Sequence, residues 1–343
     1  MSLAERLAAA LTRVGAVGGV AGVMVGDERE VAAAGWAAPD VHMRPDTRLP
    51  VASLTKPMVA TAAVRQWQRD GHPLDTPLVE LLPELAPDWR ADRRLALTHL
   101  LSHTSGLRPD VARDYPGSLA EAVRETVQIG QVRRLGSAWE YGNAGFALAG
   151  YALGQTSWFS SFEQALAAEV FGPAGMEETS FDPAGGVGHA AGGVPVRELY
   201  ARARRPGGGV VSTVDDLLRF GRFAMGDPAS LAATGRPVAA GALGSRYGLG
   251  WNLTHRGRVR WHGGDWGGCH AALLLDPTRR LTVAVVINDD AGEPLRGELA
   301  WSEFARAGGA SRPRVMPALW TAAAIARQRL TALWGPGHRG GAA

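Results

Sequence analysis

The stretch Val51-Ala52-Ser53-Leu54-Thr55-Lys56-Pro57 places a hydroxyl and an amine three residues apart, where an apolar helical pattern running from Leu54 to about Gln68 begins. One turn of helix separates Ser53 from Lys56, so both side chains project into one place. Pro57 is tolerated in a first turn, whose amides have no intrahelical acceptor. An amine beside a serine can accept or relay its proton, and a helix N-terminus favours negative charge developing there. Taken alone, the plainer account takes precedence: an N-capping serine followed by a solvated lysine. What decides between the two is whether partners for Ser53 occur elsewhere in the chain.

Composition sets the frame. A chain of 343 residues, 46% hydrophobic and 20% charged, can bury a large core and suggests neither disorder nor a membrane bundle. It holds no uninterrupted apolar run of about eighteen residues, so no membrane span is expected. The formal charge of +3, from 36 basic and 33 acidic residues, comes without a basic stripe interleaved with aromatics, which argues against nucleic acid as a partner. Cys269 is the sole cysteine, which excludes an intrachain disulfide or a cysteine-based metal cage and suits a reducing compartment. Arg13 and the apolar run Val14 to Gly26 imitate a secretory signal, but five glycines interrupt that run and Asp27, Glu28 and Glu30 follow it. A cytoplasmic protein is therefore expected.

Strands are expected at both ends of the chain and helices between them. Leu3, Leu7, Leu11 and Val14 mark an amphipathic first helix, and Val20 to Val25 with Val31 to Trp36 a hairpin turning at Gly26, Asp27 and Glu28. Leu95 to Leu107 predicts a helix capped by Thr98 and stopped by Gly106. His99 and His103 stand four apart on it, but the glutamate of a zinc-binding His-Glu-x-x-His helix is missing, so packing and hydrogen bonding account for them better than a metal. Residues 115 to 180 read as helical. Pro206-Gly207-Gly208-Gly209 predicts a tight crossing, after which Thr213 caps a helix with Asp215 and Asp216 in its first turn. Gly248 to Thr254, Val259 to His262, His270 to Leu275 and Leu281 to Asn288 form an antiparallel meander. The expected fold class is α+β: one antiparallel sheet built from both termini, flanked by helices, with an inserted all-helical lobe. Residues 1–75 and 205–343 make the sheet lobe and 76–204 the helical lobe. An additional amphipathic helix is expected over 313–335.

Two further stretches supply what Ser53 requires. Glu140-Tyr141-Gly142-Asn143 offers a phenol and an amide in the helical part, and Trp261-His262-Gly263-Gly264-Asp265 offers a strand whose glycines let its backbone approach a substrate. In isolation they are a buried tyrosine with a turn asparagine and a hairpin turn. In this order with Ser53 and Lys56, the chain resembles the serine beta-lactamase and penicillin-binding-protein superfamily, particularly its class C and esterase-like branch. The stretches Leu100 to Leu107 and Gly207 to Leu217 are similar to that family as well, so the resemblance spans about residues 15 to 290.

The resemblance implies a beta-lactamase/transpeptidase-like fold with the site between the lobes, and no cofactor or metal. Ser53 would form an acyl-enzyme, Lys56 would keep its proton mobile, and Tyr141 would serve as general base and acid. Asn143 would bind a substrate amide or orient Lys56. The amides of Ser53 and Asp265, the latter following Gly263 and Gly264, would form the oxyanion hole. His262 would supply a donor where other members carry lysine. A neutral histidine there favours a small ester or amide over a carboxylate-bearing beta-lactam, with weak beta-lactamase or D-aminopeptidase-like turnover still within range. An acyltransferase of secondary metabolism using the same acyl-enzyme is the nearest alternative; a non-catalytic ligand-binding module on the same fold is the alternative of another class.

Overall fold

The first helix, α1 (Leu3–Val14), owes its start to a reciprocal cap: Ser2 Oγ accepts from the Glu5 amide at 3.2 Å while the Ser2 amide donates to Glu5 Oε2 at 2.8 Å. Leu3, Leu7 and Leu11 fall on one face and are buried. The chain then makes a hairpin of β1 (Gly18–Val25) and β2 (Glu28–Ala38), extended by the short β3 (Val41–His42). The computed structural model describes residues 1–108, 110–111, 115–155, 159–190, 192–196, 200–240 and 245–311. The expected helix at 313–335 lies outside the described residues.

Ser53 sits in a single 3-10 turn, Ala52–Leu54, that runs directly into α2 (Thr55–Arg69). The helical part follows, with α3 (Leu97–Leu101), α4 (Leu119–Ile129) and the wholly buried α5 (Ala144–Gly154). Next comes α6 (Val214–Gly226), where the Thr213 side chain accepts from the Asp216 amide as anticipated. The remaining sheet strands are β4 (Ala239–Ala240), β5 (Arg246–Tyr247), β6 (Asn252–Thr254), β7 (Val259–Trp266), β8 (Cys269–Asp276) and β9 (Leu281–Ile287), and α7 (Glu293–Arg306) closes the fold.

Among the described residues the main sheet has nine strands in the order β3-β2-β1-β9-β8-β7-β6-β5-β4. Its two ends come from the two ends of the chain, joined where β1 pairs antiparallel with β9, Gly19 opposite Ile287 and Val25 opposite Leu281. Side chains alternate between two cores, as strand geometry requires. Val20, Leu273, Leu275, Ala284 and Val286 face α2, α6 and the helical part, whereas Ala21, Leu274, Val283, Val285 and Ile287 face α1 and α7. Strand β9 is buried along its whole length because helices cover both of its faces.

Four sequence expectations need correction. Thr98 does not cap α3: Ala96 occupies the N-cap position and its amide donates to His99 Nδ1 at 3.2 Å, so an imidazole does the work assigned to a hydroxyl. The helix also ends at Leu101, well before Gly106, because His103 adopts a left-handed φ of 59°. The inserted part is not all helical, since Gly188–Ala190 and Val194–Val196 pair as a short hairpin. In addition, the run from Gly248 is broken: a turn with Gly250 at φ 77° separates β5 from β6.

The rear core is anchored by α1, and Leu7 is fully buried there. Leu7→Ala should therefore cost about 2–5 kcal/mol in urea unfolding. A loss below about 1 kcal/mol would show that α1 contributes little to the sheet's cover.

Candidate active site

The turn carrying Ser53 is held from several sides. Leu49–Pro50 pairs with Val211–Ser212, the Val51 amide donates to the Val210 carbonyl at 3.1 Å, and the Val210 amide donates to Thr55 Oγ1 at 3.1 Å. Thr55 Oγ1 in turn donates to the Ala52 carbonyl at 2.8 Å. Ala52 has φ 47°, a left-handed conformation that costs free energy for a residue with a side chain and persists because these contacts over-determine it. Ser53 is left half-buried, whereas the residues around it are buried.

Lys56 is fully buried, which removes the solvated-lysine account. Its Nζ donates to Ser53 Oγ at 3.1 Å, to Asn143 Oδ1 at 2.8 Å and to the Gly207 carbonyl at 2.6 Å. Oxygens from three separate segments around one nitrogen suit an ammonium, which has three donors and no acceptor. The Tyr141 ring centroid lies 4.8 Å from the same Nζ, within range of a cation–π interaction. Residues 53, 56, 141 and 143 are thus brought together, with the Gly207 carbonyl added by the crossing at 206–209.

Tyr141 is placed by a residue that the sequence reading assigned to packing. His103 packs on Tyr141 with ring centroids 4.4 Å apart, and its Nδ1 accepts from the Gly142 amide at 3.3 Å. That bond puts the imidazole proton on Nε2. Burial first, and then the Lys56 charge, push the His103 pKa well below its ordinary value, so the ring is neutral. The spacing to His99 has no metal geometry behind it, because His103 lies beyond the end of α3. Among the described residues no group of three His, Cys, Asp or Glu side chains could hold a metal ion.

On the opposite wall β7 presents its motif along a partly unpaired edge, since β6 pairs with it only as far as Trp261. A Cβ at Gly264 would fall 2.2 Å from the Val51 carbonyl oxygen, so glycine is what lets β7 lie against the Ser53 turn. His262 behaves differently from expectation. Its Nδ1 donates to the Gly263 carbonyl at 2.7 Å, which leaves Nε2 as the acceptor of the Tyr247 hydroxyl at 3.2 Å. Both ring nitrogens are engaged, and burial with a smaller contribution from Lys56 lowers its pKa to about 3. The ring is neutral and serves the strand and Tyr247; as placed, it has no proton to offer a substrate.

Behind the motif lies a charged network. Arg296, from α7, donates through Nη1 to the Gly264 carbonyl at 2.6 Å and grips Asp265 with both Nη atoms. Asp265 Oδ1 also accepts from His270 Nδ1 at 2.8 Å, and His270 Nε2 donates to Asp290 Oδ1 at 2.9 Å. Two carboxylate partners require both imidazole nitrogens to carry protons. Burial opposes that charge, but Asp265 and Asp290 overcome it and raise the His270 pKa; burial likewise opposes the Asp265 charge, but Arg296 and His270 lower its pKa.

With this geometry in view, comparison with known proteins becomes informative. The sequence matches the Beta-lactamase family over residues 4–307. The chain belongs to that family. It is 27% identical over 290 residues to penicillin-binding protein 4 of Amycolatopsis lactamdurans, covering 72% of this chain and 76% of that protein. A local match to esterase EstB of Burkholderia gladioli reaches 43% identity over 67 residues, 19% of this chain and 17% of the esterase. A solved class C beta-lactamase superposes with a TM-score of 0.77 at 17% identity, covering 88% of this chain and 95% of that one. The antiparallel sheet with flanking helices is thus the beta-lactamase/transpeptidase fold.

The network behind β7 has a pH signature. His270 stabilises the fold fully below its unfolded value of 6.5 and loses that contribution as pH rises through its raised folded value. Asp265 contributes above 3.8 and loses it as pH falls through its lowered folded value. Unfolding free energy should therefore decline as pH rises above about 6.5 through the raised folded value, and His270→Gln should flatten that slope. Parallel profiles for wild type and variant would contradict the assignment.

Proposed function

We propose that the chain is a serine hydrolase that forms an acyl-enzyme on Ser53 and acts on a small ester or amide. The observation that carries this is the Lys56 ammonium held 3.1 Å from Ser53 Oγ, with Tyr141 stacked over it. Membership of the Beta-lactamase family and the local likeness to an esterase support it.

In this reading the two lobes, 1–75 with 205–343 and 76–204, face each other across Ser53. Tyr141, whose ring lies against the Lys56 ammonium, acts as base. The Ser53 Oγ–H proton passes to Tyr141 as the bond from Oγ to the substrate carbonyl carbon forms. The amides of Ser53 and Asp265 receive the oxyanion, and Arg296 fixes the strand from which the second of them comes. Collapse breaks the bond to the leaving oxygen or nitrogen, which takes the proton from Tyr141. Water then repeats the sequence, the acid departs, and Ser53 recovers its proton. Asn143 keeps Lys56 in position. Interception of the same acyl-enzyme by an amine or alcohol would make the protein an acyltransferase, the second reading; a buried reactive constellation of this kind counts against a purely ligand-binding role. The single buried Cys269 suits a cytoplasmic setting, and no described helix is long and apolar enough to cross a membrane.

A fluorophosphonate and a labelled penicillin, followed by intact-mass analysis, test the proposal. One adduct is expected, absent in Ser53→Ala, and that variant should remain folded, with a urea midpoint lowered by the loss of one acceptor for the buried Lys56, while ester turnover falls by roughly a thousandfold or more. Failure of both probes to modify Ser53, or unchanged turnover in Ser53→Ala, would remove the mechanism's basis.

A further inference from the structure

Between Asn143 and the end of β7 stands a guanidinium that the roles above do not use. Arg204 ends the 3-10 turn Arg202–Arg204, just ahead of the Gly207 carbonyl that holds Lys56. Only 6% of it is exposed, although it carries a full charge. Its Cζ lies 5.4 Å from the ring centroids of both Tyr200 and Trp266, which themselves meet edge to face at 4.5 Å. Trp266 directly follows Asp265 on β7, and Tyr200 packs over Gly208, where a Cβ would fall 2.3 Å from its hydroxyl. On the other side, Arg204 Nη2 reaches Asp110 at 3.3 and 3.4 Å, and Asp110 Oδ1 accepts from Asn143 Nδ2 at 3.0 Å. The guanidinium is therefore bracketed by Asn143 of one lobe and Trp266 of the other.

Stacking accounts for its faces but not for its edge. Among the described residues, the buried Nε and Nη1 have no hydrogen-bond acceptor. Asp110 does not meet that need: it is 53% exposed and touches only Nη2, near the outer limit of hydrogen-bond distance. Buried charged donors are ordinarily satisfied, and leaving them unmet is costly. A planar fork with spare donors is suited to an oxyanion. Asp110 sets the charge of what fits, because one carboxylate beside the cation tolerates a monoanion better than a dianionic phosphate.

We infer that Arg204, backed by Tyr200 and Trp266, is the specificity-determining receptor for a carboxylate on the substrate, which makes the substrate a carboxylated ester or amide. The inference rests on the acyl-enzyme reading for the position of the scissile bond. It also revises the expectation drawn from the third motif: the neutral His262 does not leave the site without a cation for an acidic substrate, because Arg204 stands against Trp266, farther along the same strand.

The test compares 4-nitrophenyl hemisuccinate with the neutral 4-nitrophenyl butyrate. Calorimetric binding to Ser53→Ala should favour the hemisuccinate, and adding Arg204→Met should reduce that preference roughly tenfold to a hundredfold. Arg204→Lys should restore part of it, and circular dichroism of both variants should confirm their folding. With Ser53 intact, kcat/KM should show the same change in preference. Equal weakening of both esters would reduce Arg204 to a structural role, and no preference in the parent would overturn the receptor outright. Hemisuccinate preference without turnover would uphold the receptor and sink the Ser53 chemistry; turnover without preference would do the reverse.

Discussion

Everything at the centre of this protein depends on one buried ammonium. Lys56 Nζ is out of contact with water, so its charge is tolerable only because Ser53 Oγ, Asn143 Oδ1 and the Gly207 carbonyl are turned toward it. Those oxygens belong to the nucleophile's own turn, to the head of α5 and to the glycine crossing before α6. Satisfying one cation therefore fixes three segments that are distant in sequence, and the aromatic faces of Tyr141 and Phe146 fill the remaining space around it. The same demand explains why Gly207 sits where it does, since a side chain there would collide with Asn143.

The site contains two further guanidiniums of different standing. Arg296 is matched by Asp265 and supports the strand edge from behind, so its charge is largely spent within the fold. Arg204 is matched mainly by aromatic faces and by the half-exposed Asp110, so less of its charge is spent within the fold. Positive charge at the partly exposed Ser53 hydroxyl thus comes from Lys56, while the neutral histidine of the third motif contributes none. A low-dielectric site with fixed cations stabilises negative charge that develops during reaction without reorganising at that moment.

Where local physics decides the outcome, the sequence alone revealed it. The 3.6-residue apolar spacing of α1, the apolar runs of β7 to β9 and the Thr213 cap are properties of short windows, and each appears in the structure. The Ser53, Lys56, Tyr141 and Asn143 constellation was recoverable because the motifs retain their order. What escaped depends on contacts between distant segments. The cap of α3 is an imidazole three residues inward from Ala96, which no propensity for capping residues would select. The role of His103 depends on a left-handed turn that points it at Tyr141, and that of His262 on Tyr247 lying opposite its ring. Arg204 stands beside Arg202 and Arg205 in a run that local sequence does not distinguish from a solvated surface, because nothing local shows that Trp266 and Tyr200 close over it. The hairpin at 188–196 is short and bears no strong alternation, so its pairing is set by its neighbours.

The pairing of β1 with β9 has a consequence for how the molecule comes into being. Gly19 meets Ile287, so the two ends of the described chain are laid side by side in the middle of the sheet. During synthesis the strand bearing the first half of that pair emerges long before its partner, and loop-closure entropy delays their meeting until nearly the whole domain is available. The nucleophile's turn leans on β7 through Gly264, and β7 is braced by α7, which follows β9. A nascent chain can therefore contain Ser53, Lys56 and Tyr141 and still lack the braced strand edge against which they work. The proposed site is thus assembled only when the sheet is complete, by topology alone.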